Sequence, residues 1–235
     1  MAIVVTTPQL PLSFRFAART RFQHFLAGDN APVVAAVEAL AHETEDFVGI
    51  LLAGPEGSGK THLASALVQT AAEVRFLPLR SLGDKALLAI ETAPEQGLVV
   101  IDDIDALAGR RLEEIAMFDL FNRLKAARAR LLVTSSELPN RLPIHLPDLL
   151  SRLASLAQHR LRPLPEFEIR TVLVDRARDR GLSLSGEVLD FLLRRYPRNL
   201  GALIQLIDQL DVASMAAQRR LTVPFVRRVI EGGQS

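Results

Sequence analysis

The sequence predicts an α/β fold in which a parallel sheet flanked by helices is followed by a small all-helical lid domain. Three observations predict it. Short apolar runs at Val48–Ala53, Val74–Pro78, Leu98–Ile101 and Arg130–Thr134 alternate with segments of helical periodicity. The first of these runs enters a glycine-rich loop that leads into a helix. Beyond Leu164, four segments with apolar stripes follow one another with no strand between them.

Taken in order, residues 1–30 carry Pro8, Pro11 and scattered phenylalanines without a sustained period, which predicts an extended arm with no core of its own. Val33, Val34, Val37, Leu40 and Ala41 recur at helical spacing and predict a helix from Ala31 to Glu43. Val48–Ala53 is apolar throughout, as a strand buried on both faces must be. The alternation continues with helices at Thr61–Ala72, Leu82–Thr92 and Leu112–Ala127 between the remaining strands, and with a last strand at Arg160–Leu164 beside Pro163 and Pro165. Helices at Glu166–Arg180, Ser185–Tyr196, Leu200–Gln218 and Val223–Glu231 follow, with Ser185 and Thr222 as N-caps. The expected division is an arm at 1–30, a nucleotide-binding domain at 31–165 and a helical lid at 166–235.

Composition narrows the function. With 235 residues and 49% hydrophobic content the chain can bury a sizeable core. Its 28 basic and 27 acidic side chains leave a net charge of +1, so any DNA contact must be indirect or local. The absence of cysteine excludes disulfides, thiolate metal sites and a cysteine nucleophile, and fits a reducing cytoplasm. The five histidines show no ligand spacing. No export signal is legible at the start, and the apolar runs fall short of the roughly 20 residues a membrane span needs, so no membrane partner is expected.

The chemistry is concentrated in one loop. Gly54, Pro55, Glu56, Gly57, Ser58, Gly59, Lys60 and Thr61 match the full G-x-x-x-x-G-K-[ST] pattern between a buried strand and a helix. There the glycines let backbone N–H groups turn toward phosphate oxygens, and the helix start adds positive potential. Lys60 would reach the β and γ phosphates of ATP or ADP, and Thr61 would offer a hydroxyl to Mg²⁺. The run Leu98–Ile101 then leads into Asp102 and Asp103. Asp102 would hold Mg²⁺ through water and Asp103 would orient or deprotonate the attacking water, while Asp105 reads as a cap or a solvent-facing group. Thr134, Ser135 and Ser136 end the next strand where ligands of open α/β sheets lie, and any of the three could sense the γ-phosphate.

Together these features resemble the AAA+ ATPases. More narrowly, the chain resembles the bacterial initiator DnaA group and, within it, the Hda branch. The likeness runs through Gln9–Phe14, Gly28-Asp29-Asn30, Leu146–Leu153, Asp208–Asp211 and Leu221–Val226. In Leu146–Leu153, Arg152 matches the family's arginine finger, which a neighbouring subunit offers in trans to a γ-phosphate. Arg198 matches the lid arginine that touches bound nucleotide, with Arg194 and Arg195 as competitors. Gln9, Leu10, Leu12 and Phe14 belong to a segment similar to the short motif that docks on the β sliding clamp of DNA polymerase. Two departures stand out: Ser135 and Ser136 lack the acidic neighbour of the initiator group, and the phosphate loop is intact where some Hda-like chains have lost it.

The resemblance implies a cytoplasmic negative regulator of replication initiation, an interaction protein with at most weak ATPase activity of its own. In that role the nucleotide-bound chain docks on DNA-loaded clamp and promotes hydrolysis of DnaA-bound ATP; self-association is compatible with it. Two alternatives are a DnaA-like origin-DNA binder and an AAA+ helicase loader. Against the first, no further helix-turn-helix follows the helix that carries Arg227 and Arg228, and Arg219 and Arg220 add only a small basic spot. Against the second, the amino end carries a clamp-like peptide rather than a dedicated helicase-binding region.

Overall fold

The computed structural model describes residues 21–195, 200–217 and 220–232. Five parallel strands, β1 (Val48–Ala53), β2 (Val74–Pro78), β3 (Leu98–Asp102), β4 (Arg130–Ser135) and β5 (Ala157–Arg160), form one sheet in the order β2-β3-β4-β1-β5. Helices α1 (Ala31–Ala39), α2 (Lys60–Thr70), α3 (Leu79–Leu82), α4 (Ala86–Glu91), α5 (Arg111–Ala126) and α6 (Pro147–Ala154) cover it. Successive side chains of a strand point to opposite faces, and here both faces are covered. Leu51, Val99, Ile101, Leu131 and Val133 pack with Ile90, Leu120, Phe121 and Leu149 on one side. Ile50, Leu52, Val100 and Leu132 pack with Val37, Leu63 and Leu67 on the other. This two-sided burial is why the central strands read as continuous apolar runs.

Strand register sets the functional edge. Ala53 pairs with Ser135 and Leu52 with Thr134, while Ile101 pairs with Val133 and Pro78 with Asp102. The carboxyl ends of β1, β3 and β4 therefore come level, and the phosphate loop, Asp102 and Thr134 emerge side by side.

Several elements differ from the sequence expectation. Residues 21–30 form two short 3₁₀ turns, Phe22–His24 and Gly28–Asn30, because Phe22 and Phe25 pack onto the core beside α2. Helix α1 stops at Ala39: the buried guanidinium of Arg130 takes the carbonyls of Leu40 and Ala41 at 2.9 and 3.0 Å, satisfying acceptors that a helix end leaves open. The single helix expected over Leu82–Thr92 is broken at Gly83, whose φ of 53° ends α3 before α4 begins. The final strand lies at Ala157–Arg160 rather than Arg160–Leu164. As an edge strand it is polar and largely exposed, so no apolar run marks it, while Leu161 is a core residue of the connection that follows. Helix α6 had no element assigned to it; Pro147 occupies its first turn, where the missing N–H costs nothing.

The carboxyl-terminal helices α7 (Glu166–Arg178), α8 (Gly186–Arg195), α9 (Leu200–Ala217) and α10 (Val223–Gly232) enclose a separate core of Ile169, Leu173, Leu192, Leu203, Ile207 and Val226 among others. Helix α9 is long and apolar enough, by length and composition, to cross a membrane. Its buried residues Leu203, Leu206, Ile207 and Leu210 form the single stripe expected of a helix facing a core. Arg176 on α7 and Arg180 just past its end pair with Asp208, and Arg180 also with Asp211, tying this end of α7 to α9. The Asn30 side chain donates to the Arg162 carbonyl at 3.0 Å and accepts from its N–H at 2.9 Å, which staples the arm to the segment entering α7.

Candidate nucleotide-binding site

The loop between β1 and α2 is shaped by its glycines. Gly57 and Gly59 have φ of 76° and 99°, values that L side chains avoid, and a Cβ at Gly59 would lie 2.5 Å from the Phe25 ring. Helix α2 begins at Lys60 with no side-chain cap, so its first N–H groups face the loop. Ser58 Oγ is buried without a partner. Lys60 Nζ donates to the carbonyls of Gly54 and Pro55 at 2.7 and 3.1 Å. Burial pushes the Lys60 pKa down, against the opposing pull of Asp103 and Asp102. A cradle of open N–H groups, one buried cation and an orphaned hydroxyl fits an anionic phosphate chain.

The acidic pair stands opposite. Asp102 is 4% exposed and accepts from the Thr134 hydroxyl at 2.6 Å and from the Thr61 hydroxyl at 2.9 Å. Burial raises its pKa, while the bonds from Thr134 and Thr61 act in the other direction. Thr61 and Asp102 are thus brought together as the two groups that would hold a phosphate-bound Mg²⁺. Asp103 follows in the left-handed region at φ 60° and ψ 58°, which aspartate tolerates better than most residues, and its N–H donates to Thr134 Oγ1 at 2.9 Å. The turn aims the Asp103 carboxylate into the cavity, where Arg80 Nε meets it at 3.0 Å.

The three hydroxyls at the end of β4 separate by burial. Thr134 and Ser135 are fully buried, the first bonded to Asp102 and the second donating to the Glu137 carbonyl at 2.7 Å. Ser136 reaches the cavity, and its hydroxyl and N–H both donate to Asp105. Asp105, expected as a cap or a solvent-facing group, lines the cavity through this contact.

The cavity has a volume of about 640 Å³. Beyond the phosphate loop its walls are apolar: Phe25 and Leu26 from the arm, Ile169 and Val172 from α7, Leu200 and Ile204 from α9. His62 sits among them, its ring 5.6 Å from that of Phe25 and its Nε2 3.2 Å from the Arg21 carbonyl. One charged end and one flat apolar end match a nucleotide. Arg152 lies elsewhere: on α6, away from the lining of this cavity, with its guanidinium 5.7 Å from the Phe118 ring centroid. Arg198 and the arm residues Gln9, Leu10, Leu12 and Phe14 lie outside the described residues.

Comparison with known proteins bears directly on this architecture. Residues 50–159 match the family described as ATPase family associated with various cellular activities (AAA). Residues 166–230 match the family described as Hda, lid domain. The chain carries an AAA domain followed by an Hda lid domain. Its AAA+ core and Hda lid together resemble domain III of the replication initiation protein DnaA from Thermotoga maritima, at 20% identity and a TM-score of 0.73, over 91% of this chain and 96% of that one. AMPPCP-bound DnaA from Aquifex aeolicus is similar at 17% identity and a TM-score of 0.63, over 85% and 67% of the two chains. A variant of Thermotoga maritima RuvB is similar at 18% identity and a TM-score of 0.62, over 90% and 71%. At these identities the likeness establishes the fold.

Sequence reading missed three residues. Arg80 follows β2 with no motif around it. Glu114 is fully buried and accepts backbone N–H groups of Gly109, His145 and Leu146 at 2.8–3.1 Å. Its signal was available, since Glu114, Met117 and Phe121 share one stripe of α5 and a carboxylate on an apolar stripe needs a polar partner. Phe118, the residue beneath Arg152, reads in sequence only as part of an amphipathic helix.

Proposed function

We propose that this chain is a nucleotide-controlled negative regulator of replication initiation. It docks on DNA-loaded sliding clamp through Gln9, Leu10, Leu12 and Phe14 of an arm spanning 1–30. It then presents Arg152 from a nucleotide-binding domain at 31–165 to the ATP held by a neighbouring DnaA. Nucleotide in its own cavity, held by the Gly54–Thr61 loop, Asp102 and Arg198 of the 166–235 lid, acts chiefly as a control ligand. Bound Mg²⁺ supplies charge neutralisation of the phosphates there, through Thr61 and Asp102. Asp103 is the group able to take a proton from water beside a γ-phosphate, and Arg80 occupies it.

The observation that carries this reading is the position of Arg152. It does not line its own chain's cavity. Among the described residues it forms no ion pair, its guanidinium resting over an aromatic face. A guanidinium that is unpaired among the described residues and outside its own chain's cavity is available to phosphates that a partner brings, where it would stabilise charge developing in the transition state. The Hda lid at 166–230 and the DnaA-like fold of the whole support DnaA as that partner.

Retention on immobilised, DNA-loaded clamp tests the assembly. Wild type is expected to be held and to hold ATP-bound DnaA in turn, whereas the variant with Gln9, Leu12 and Phe14 changed to alanine is not. Retention by a replicative helicase but not by clamp, or salt-sensitive binding to origin DNA alone, would replace this reading with a loader or an origin binder.

A further inference from the structure

Helix α5 carries two unusual side chains one turn apart, and both act on α6. Glu114 accepts the N–H groups of His145 at 3.1 Å and Leu146 at 2.8 Å, and Leu146 is the residue from which α6 starts. Phe118, four residues on and therefore on the same face of α5, lies beneath Arg152 in the last turn of α6, with 5.7 Å between guanidinium carbon and ring centroid. Phe118 is itself packed against the sheet core, so its ring has little freedom. One end of α6 is held by a buried carboxylate and the other by an aromatic face, both from one rigid helix.

We propose that Phe118 is a positioning residue for Arg152, a seat that holds the guanidinium ready for a partner's nucleoside triphosphate without occupying its hydrogen-bond donors. The proposal rests on the trans role of Arg152 argued above. The choice of an aromatic is chemically specific. A carboxylate seat would engage the N–H fork that must grip phosphate and would neutralise its charge. An aromatic face attracts the cation through its π-electrons and leaves all five N–H donors in the guanidinium plane free. It also restricts a side chain that otherwise has four rotatable bonds, so less freedom is lost when phosphate is bound. Glu114 complements this by fixing the start of α6, which sets the height of Arg152 above the ring.

The test compares wild type, Phe118→Leu, Phe118→Tyr, Arg152→Ala and the Phe118→Leu/Arg152→Ala double variant in single-turnover hydrolysis of DnaA-bound ATP on loaded clamp. Leucine keeps the apolar contact with the core but removes the π face; tyrosine keeps both. Phe118→Leu is expected to lower the maximal stimulated rate about three- to fivefold, the scale of an exposed cation–π contact, with unchanged half-saturating concentration and unchanged nucleotide affinity in its own cavity. Phe118→Tyr is expected to retain the wild-type rate, and Phe118→Leu is expected to have no effect once Arg152 is alanine. Full stimulation by Phe118→Leu beside loss in Arg152→Ala overturns the seat and leaves the trans finger intact. An equal loss from Phe118→Leu in both backgrounds also overturns it, because the effect would then not pass through Arg152. Equal stimulation by wild type and Arg152→Ala overturns the trans reading itself. The ring-current shift of the Arg152 Nε–H resonance reads the seat without hydrolysis. It is expected in wild type and Phe118→Tyr and lost in Phe118→Leu; its absence from wild type overturns the seat directly.

Discussion

Arg80 Nε lies 3.0 Å from Asp103 Oδ2, so the carboxylate nearest in role to a water-activating base is paired with a cation from the neighbouring strand's end. With Arg80 68% exposed, the pair contributes little to stability, on the order of 0–1 kcal/mol. Its effect falls on chemistry, because the Arg80 guanidinium occupies a carboxylate oxygen that would otherwise be open to water.

Arg80→Ala is therefore expected to leave the melting temperature nearly unchanged and to raise the chain's own slow ATP hydrolysis about two- to tenfold, a small part of the roughly 10²–10⁴-fold that base catalysis contributes. Asp103→Asn in the same background is expected to abolish the gain. Steady-state phosphate release by the isolated protein checks both, and a lower rate in Arg80→Ala would show that Arg80 serves the phosphates rather than restraining Asp103.

Asp102 is buried and forms no ion pair among the described residues, and burial lifts its pKa above the ordinary 3.8. Between 3.8 and that raised value the native state holds more protons than the unfolded chain, so the contribution of Asp102 to stability falls as pH rises through this window. At neutral pH the ionised group remains a cost. Asp102→Asn keeps acceptor and donor atoms for Thr134 and Thr61 and is expected to raise the melting temperature at pH 7, while Mg²⁺ no longer strengthens nucleotide binding. Thermal melts and titrations with and without Mg²⁺ read the two effects separately; a lower melting temperature would contradict the burial argument.

His62 is shifted the other way. Burial lowers its pKa from 6.5, and His24 adds to the effect. The unfolded chain takes up the proton first as pH falls through 6.5, so stability due to neutral His62 is present above that value and lost below it. Melting temperature is expected to fall more steeply between about pH 7.5 and about pH 5.5 in wild type than in His62→Gln. Parallel curves for the two proteins would remove His62 as the cause.

Glu114→Ala deletes the acceptor for the N–H groups of Gly109, His145 and Leu146 together. Leaving these donors unpaired in a site where Glu114 is fully buried is expected to cost about 3 kcal/mol, measured by denaturant unfolding. A loss under about 1 kcal/mol would mean that the loop relaxes to find other acceptors.

The sheet and its nucleotide edge were legible in the sequence because their causes are local. A strand buried on both faces must be apolar throughout, as β3 and β4 are, and a loop that cradles phosphate needs its glycines and Lys60 at fixed spacing. The edge strand β5 was misplaced because exposure removes the apolar run that would mark it, and the helix after β2 was overextended because Gly83 was read as a helix residue. Partnerships across the chain left no trace: nothing near Arg80 announces Asp103, and only the resemblance pointed to Arg152. The Phe118 contact arises because α5 and α6 pack together, a tertiary fact. Burial likewise distinguishes Thr134, Ser135 and Ser136, which are equivalent as a sequence.

The central claim is that this chain contributes an arginine to another protein's hydrolytic site. Its most direct test is the rate at which ATP already bound to DnaA becomes ADP in the presence of DNA-loaded clamp. The protein is added as wild type, as Arg152→Ala or with Gln9, Leu12 and Phe14 changed to alanine. Wild type is expected to accelerate the conversion, Arg152→Ala to fail even while still bound to clamp, and the arm variant to fail for want of docking. Equal acceleration by all three would contradict the account.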